Sequence, residues 1–73
     1  MSYFYIIRVF DREDIPDQVI KTGLTEEEAK QHCKDPETSS STATSLEATL
    51  RTKNFGIWWD AYEEYKPKKD MVL

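Results

Sequence analysis

The chain has few of the covalent and metal links that stabilise many proteins of its size. It has 73 residues and a single cysteine, Cys33, which excludes an internal disulfide, and no group of Cys and His has the spacing of a zinc site. It has no apolar run of roughly 18 residues that would span a membrane. It also has no basic start followed by a small-residue cleavage site, so we expect no signal peptide. The sequence therefore predicts a cytoplasmic protein without a metal or other cofactor.

Positive charge is also outnumbered by negative charge. There are 10 Lys and Arg residues against 14 Asp and Glu, and the formal net charge is −4. General nucleic-acid binding is therefore not expected, because it needs a basic patch or stripe. The acidic residues are interspersed with Lys and Arg along the chain, which also argues against a mimic of DNA.

Aromatic residues are plentiful instead. The chain has two Trp, four Tyr and three Phe, and each such side chain can bury about 150–250 Å². A domain this small buries only about 60% of its unfolded surface. Part of the aromatic surface can therefore be buried between copies, and a homodimer stays open as an alternative.

Three segments are predicted to be strands. The run YFYIIRVF (3–10) is aromatic and β-branched, and it is apolar on both alternating faces except at Arg8, which predicts a central strand covered on both sides. A charged turn at 11–17 leads to a returning strand at 18–22. The last strand is GIWWDAYEEY (56–65).

Two segments between these strands are predicted to be helices. In GLTEEEAKQHCK, Thr25 and Glu28 have the spacing of a capping box, which predicts a helix over 26–34 that ends before Pro36. In SLEATLRTK (45–53), Leu46 and Leu50 are spaced i, i+4, which favours a second short helix. The threonines of that segment also suit a strand, so its conformation stays open.

These segments predict an α+β fold with the order β-β-α-(α)-β. Placing the last strand beside the first gives a three-stranded antiparallel sheet in the order 2-1-3, with one or two short helices packed on it. We expect residues 1–65 to form a single compact domain and residues 66–73 to form a mobile tail.

The segment VIKTGLTEEEAKQHCKDPETSSSTATS together with GIWWDAYEEY resembles a group of small actinobacterial and actinobacteriophage proteins. The group shares the pattern GLT-x-EEA-x-x-HC-x-DPETSS and, near the end, G-x-W, then Phe or Trp, then D-x-Y-E-E. The resemblance covers the chain from Tyr3 to Glu64, and this chain departs from the more frequent Phe at Trp59. It implies an origin and no mechanism: a phage or mobile-element protein acting inside a bacterial host cell.

His32 and Cys33 are candidates for a base and a nucleophile, but their spacing is wrong. Neighbouring residues on a helix point about 100° apart, and a helix C-terminus raises the pKa of a thiol. We therefore expect no catalytic residues, with Cys33 as a small core side chain and His32 as a hydrogen-bond donor at the helix end.

The Ser- and Thr-rich loop at 35–45 has two interpretations. In one, the hydroxyls bond the local backbone and the loop is a connector. In the other, it is a cradle for an anion or nucleotide, although the loop has no glycine that would let a phosphate approach the backbone closely. The candidate ligand-binding residues are Thr38, Ser39, Ser40, Ser41 and Thr42, with Arg8, Arg51 and His32.

Two adjacent tryptophans, Trp58 and Trp59, must point to opposite faces of the last strand. One is expected in the core. The other is either covered by the long loop or exposed as a contact hot spot beside Arg8, Asp60 and Tyr62. The candidate partner-binding residues are Trp58, Trp59, Asp60 and Tyr62.

The sequence thus predicts a non-enzymatic accessory protein of a phage or mobile element that binds and modulates a host protein, in host takeover or counter-defence. A protein that sequesters a small anionic ligand or nucleotide through the hydroxyl loop is the first alternative. A thiol-dependent enzyme is the second.

Overall fold

The computed structural model describes residues 3–65. The elements in chain order are strand β1 (Tyr3–Phe10), strand β2 (Gln18–Leu24), helix α1 (Glu26–Lys34), a 3₁₀ turn (Pro36–Thr38), helix α2 (Leu46–Phe55) and strand β3 (Trp58–Tyr65). The tail predicted at 66–73 lies outside the described residues. Among residues 3–65, no helix is long and apolar enough to cross a membrane.

The three strands form one antiparallel sheet in the order β2-β1-β3, which confirms the predicted α+β fold and strand order. The pairing of β1 with β3 is regular, from Tyr3 opposite Tyr65 to Phe10 opposite Trp58. The pairing of β1 with β2 has two register irregularities, and Gly23 in β2 has a φ of 69°. Only glycine adopts that conformation without strain.

Both helices lie on the same face of the sheet. The buried apolar residues on that side are Ile6, Phe10, Ala29, Ala48 and Trp58. On the other face, the side chains of β1 are exposed (Tyr3) or half-buried (Tyr5, Ile7 and Val9). Within residues 3–65, the expectation that β1 is covered on both sides is therefore wrong, because both helices of this part pack on the same face.

Helix α1 begins where the capping box predicts. The Thr25 hydroxyl accepts from the backbone N–H of Glu28 at 3.2 Å, and the Glu28 carboxylate accepts from the backbone N–H of Thr25 at 2.9 Å. The two bonds satisfy two of the backbone donors that every helix start leaves free. The bounds Glu26–Lys34 agree with the prediction.

Helix α2 also forms, but it packs through its small residues. Ser45 caps it by accepting from the backbone N–H of Ala48 at 3.2 Å. Ala48 is buried against Trp58 and Phe10, whereas Leu46 is 74% exposed and Leu50 is also exposed. The large Trp58 indole leaves room for only a small side chain on the helix, so the two leucines point away from the core.

Candidate functional site

A buried carboxylate lies at the centre of the face covered by the helices. Asp60 of β3 is directly opposite Arg8 of β1, and its side chain is fully buried. Arg8 donates to both carboxylate oxygens, from Nε at 2.8 Å and from the second guanidinium nitrogen at 3.0 Å. The Nε2 atom of His32 on α1 lies 2.9 Å from Asp60 Oδ2. The cluster links β1, β3 and α1. Both carboxylate oxygens of Asp60 are bonded to side chains within the protein.

The indole of Trp58 is covered by two guanidinium groups. The Cζ atoms of Arg8 and Arg51 lie 5.0 and 4.6 Å from the ring centroid, within the range of cation–π attraction. The pKa of Arg51 is lowered, first by burial and then by the charge of Arg8. The indole Nε1 donates to the hydroxyl of Thr52 at 2.9 Å. Both arginines therefore pack as part of the core, and neither bonds the hydroxyl loop.

The environment of Cys33 opposes thiolate chemistry. The side chain is half-buried, and its pKa is raised, first by burial and then by the negative charge of Asp60. A thiol needs a lowered pKa to act as a nucleophile near neutral pH. Among residues 3–65, no group of three or more His, Cys, Asp and Glu side chains has an arrangement that holds a metal ion.

The loop between α1 and α2 is organised by one carboxylate. Glu37 accepts from the backbone N–H groups of Thr44 and Ser45 at 2.7 and 2.8 Å, and from the Thr44 hydroxyl at 3.0 Å. These bonds hold the pKa of Glu37 at about 2, well below its ordinary value. Asp35 caps the 3₁₀ turn by accepting from the backbone N–H of Glu37 at 2.9 Å.

The five candidate hydroxyls of this loop all have partners within the protein. Thr38 donates to the carbonyl of Asp35 and Thr42 donates to the carbonyl of Pro36, each at 2.6 Å, while the Ser39 and Ser41 hydroxyls bond each other at 3.0 Å. Ser40 Oγ accepts from the backbone N–H of Trp58 at 3.1 Å, and the Ser40 N–H donates to the Trp58 carbonyl at 2.9 Å. The loop thus pairs with the outer edge of β3, and its hydroxyls serve that structure.

The sheet divides the predicted partner-binding residues between its two faces. Trp58, Asp60 and Tyr62 lie on the face covered by the helices, where Trp58 is fully buried. Trp59 lies on the opposite face and is 39% exposed. The structure therefore separates the exposed tryptophan from Arg8, Asp60 and Tyr62.

We call the uncovered side of the sheet the open face. Residues that are directly opposite each other in a sheet point to the same side, and the pairing places Tyr3, Tyr5, Ile7, Val9, Val19, Trp59, Ala61, Glu63 and Tyr65 there. Val19 is 60% exposed, Tyr65 57% and Tyr3 50%. All but Glu63 are apolar or aromatic.

An open groove of about 580 Å³ lies at one end of this face. Its lining residues are Tyr3, Phe4, Tyr5, Val19, Thr22, Gly23 and Tyr65. Beside it, the Tyr5 hydroxyl donates to Glu63 Oε1 at 3.2 Å. None of these residues is among the binding candidates predicted from the sequence. The alternation in β1 could have marked Tyr3 and Tyr5, but the register that adds Tyr65 and Val19 is set by the tertiary pairing.

Comparison with protein-family models, with curated proteins and with solved structures finds no significant match to this chain.

Proposed function

We propose that this protein is a non-enzymatic binding protein whose open face docks a partner protein. The observation that carries the proposal is the exposure of large apolar side chains on that face, at Tyr3, Val19, Trp59 and Tyr65. A contiguous apolar patch rimmed by polar residues is typical of interaction sites. Tyrosine and tryptophan are also the residues that most often carry binding energy at protein interfaces.

The setting of the proposal is the one implied by the sequence resemblance. The protein would be an accessory factor of a phage or mobile element, and the partner would be a protein of the bacterial host that it modulates in takeover or counter-defence. A binding surface on a small scaffold is sufficient for that role, since blocking a host protein needs no chemistry.

Two observations favour this function over its alternatives. The loop hydroxyls that would cradle an anion already bond Asp35, Pro36, Trp58 and one another. The Cys33 thiol has a raised pKa, which opposes a thiol-dependent enzyme. On the open face, the described side chains make one hydrogen bond to each other, from Tyr5 to Glu63, and its large apolar side chains are left exposed.

The test is a binding experiment with a matched pair of variants. The immobilised protein is exposed to actinobacterial lysate, the retained protein is identified and purified, and its Kd is then measured by calorimetry. Trp59→Ser removes an aromatic side chain from the open face. Leu46→Ser, the control, removes an even more exposed apolar side chain, from the outer surface of α2.

We expect Trp59→Ser to weaken binding at least about 30-fold, as the loss of a hot spot worth about 2 kcal/mol does. Leu46→Ser should bind like the wild type. Thermal unfolding of both variants checks that they are folded. The proposal is rejected if the purified partner binds Trp59→Ser as tightly as the wild type, or if no host protein binds at all.

A further inference from the structure

The open face is small for a dimer interface. Three strands about 4.8 Å apart, each eight residues long or less with a rise of about 3.4 Å per residue, cover on the order of 400 Å². A standard protein interface buries about 800 Å² on each partner. A second copy seated flat on this face would also bring its own Glu63 and its own net charge of −4 against it, so a narrow occupant with positive charge fits better.

The groove on this face is suited to such an occupant. Its volume of about 580 Å³ lies within the range of sites that hold a small ligand or a few side chains. Tyr3, Tyr5, Tyr65 and Val19 line it from the open face, and Phe4 also lines it although its ring packs against Tyr62 on the covered face. Aromatic-lined grooves of this kind accept extended proline-containing segments, because the proline rings pack on aromatic faces and the segment is already ordered before it binds.

The edge strand beside the groove disfavours the main alternative, which is addition of a fourth strand. The β1–β2 pairing shifts register between Phe4 and Ile6 and again between Ile6 and Ile7. Irregularities of this kind twist an edge strand away from regular pairing. A polyproline II segment has no ladder of backbone hydrogen bonds to complete, so the irregular edge does not exclude it.

The negative charge beside the groove favours positively charged residues in the bound segment. Glu63 lies on the open face, is exposed, and contacts the groove through its bond with Tyr5. The whole chain carries a net charge of −4. A lysine or arginine in the occupant gains from this charge, and an acidic residue is repelled.

We infer that the groove between the ends of β1, β2 and β3 binds an extended, proline-containing peptide segment that carries a basic residue next to Glu63. The inference rests on the proposed function and deepens it, since it names the chemistry of the partner segment. The groove supplies the apolar contacts and Glu63 supplies the preference for positive charge.

The experiment uses three synthetic proline-rich peptides of equal length whose flanking residues are lysine, glutamine or glutamate. Binding to the full chain is measured by fluorescence anisotropy of the labelled peptides, and amide NMR shifts locate the contact. We expect the lysine peptide to bind at least tenfold tighter than the glutamate peptide. The shifts should cluster at Val19, Thr22 and Gly23, and added salt should reduce the difference between peptides.

Two variants separate the apolar contribution from the charged one. Tyr65→Ala should weaken all three peptides at least tenfold, because it removes a wall of the groove. Glu63→Gln should bring the lysine and glutamine peptides to within about twofold of each other while leaving the glutamine peptide unchanged. Leu46→Ala, on the outer surface of α2 away from the open face, is the control and should bind all three peptides like the wild type.

Several results would overturn the inference. One is the absence of shifts at the groove with every peptide. Another is equal binding of the lysine and glutamate peptides. A third is a concentration-dependent shift of the groove amides without peptide, which would show that a second copy occupies the groove. If the peptides fail while Trp59→Ser still abolishes binding of a host protein, the groove inference falls and the proposed function stands.

Discussion

The side chain with the most demanding environment is Asp60. A carboxylate that is fully removed from water is stable only when it is paired and hydrogen-bonded. Asp60 meets that condition through the two bonds from Arg8 and the contact with His32. A pair of this kind adds little net stability compared with apolar residues of the same size, but losing one partner is costly because the other charge is left unpaired.

We therefore expect Asp60→Asn to lower the free energy of unfolding by about 3 kcal/mol. The amide has nearly the shape of the carboxylate but carries no charge, so Arg8 remains 84% shielded from solvent without its counter-ion. The measurement is urea denaturation followed by Trp58 fluorescence. The control is Asp14→Asn, which breaks an even shorter ion pair, 2.6 Å, with Arg12 at an exposed position and should leave the unfolding midpoint unchanged. Equal effects of the two substitutions would contradict this account.

The sequence could name Arg8 and Asp60 as residues of interest but could not pair them. Their contact depends on the β1–β3 register, which joins residues 52 positions apart. His32 was expected to act at its own helix end, because the local sequence shows only the helix. Its side chain instead reaches the sheet, and that direction is set by how α1 packs.

At the scale of elements, the loop between the helices owes its order to Glu37. One carboxylate accepts three bonds from Thr44 and Ser45 and so closes the loop onto the start of α2. The segment is therefore ordered without regular secondary structure over most of its length. The composition of the loop predicts hydroxyls that bond the local backbone, but it does not mark Glu37 as the acceptor that holds Thr44 and Ser45.

The pKa of Glu37 makes the stability of this loop dependent on pH. The folded-state pKa is about 2, below the ordinary value of 4.5, so the folded protein binds the proton less readily than the unfolded chain does. The stabilisation is complete above about pH 4.5 and is lost as the pH falls towards about 2. Glu37→Gln should therefore be less stable than the wild type near neutral pH, and the difference should shrink across that acidic window. Urea midpoints measured from neutral to acidic pH test this.

The exposed Glu13 in the β1–β2 turn provides the control for that titration. Glu13→Gln should follow the wild type at every pH, apart from the shared loss of stability in acid. A carboxyl resonance of Glu37 that titrates near 4.5 in the folded protein would refute the assigned role.

Helix α2 shows where a local pattern is sufficient and where it is not. Its existence follows from its caps and its charge order, which are local features. The orientation of α2 does not follow from local features. The i, i+4 spacing of Leu46 and Leu50 predicts that the leucines are buried, but the buried residue of the helix is Ala48. The size of Trp58, which lies ten residues further along the chain, decides which face of α2 can approach the sheet.

At the scale of the whole molecule, the protein is a sheet with one covered side. The strand order could be predicted because β1 is apolar on both faces and therefore belongs in the centre. The same pattern predicts cover on both sides, and that prediction is wrong for residues 3–65, because both helices of this part pack on one side. The apolar residues left on the open face are the reason to assign the protein a binding function.

This one-sided arrangement predicts that neighbouring residues of β1 differ sharply in their contribution to stability. Ile6 is fully buried under the helices, whereas Ile7 is only half-buried on the open face. Truncating a buried isoleucine removes its burial and leaves a cavity, so Ile6→Ala should lower the free energy of unfolding by about 3 kcal/mol. Ile7→Ala makes the same chemical change in the same strand and should cost less than half as much, since water already reaches the site. Urea denaturation of the isolated protein compares the two directly. Equal losses of unfolding free energy in the two variants would mean that the open face is covered in solution. When the partner is bound, the loss caused by Ile7→Ala should increase and the loss caused by Ile6→Ala should not.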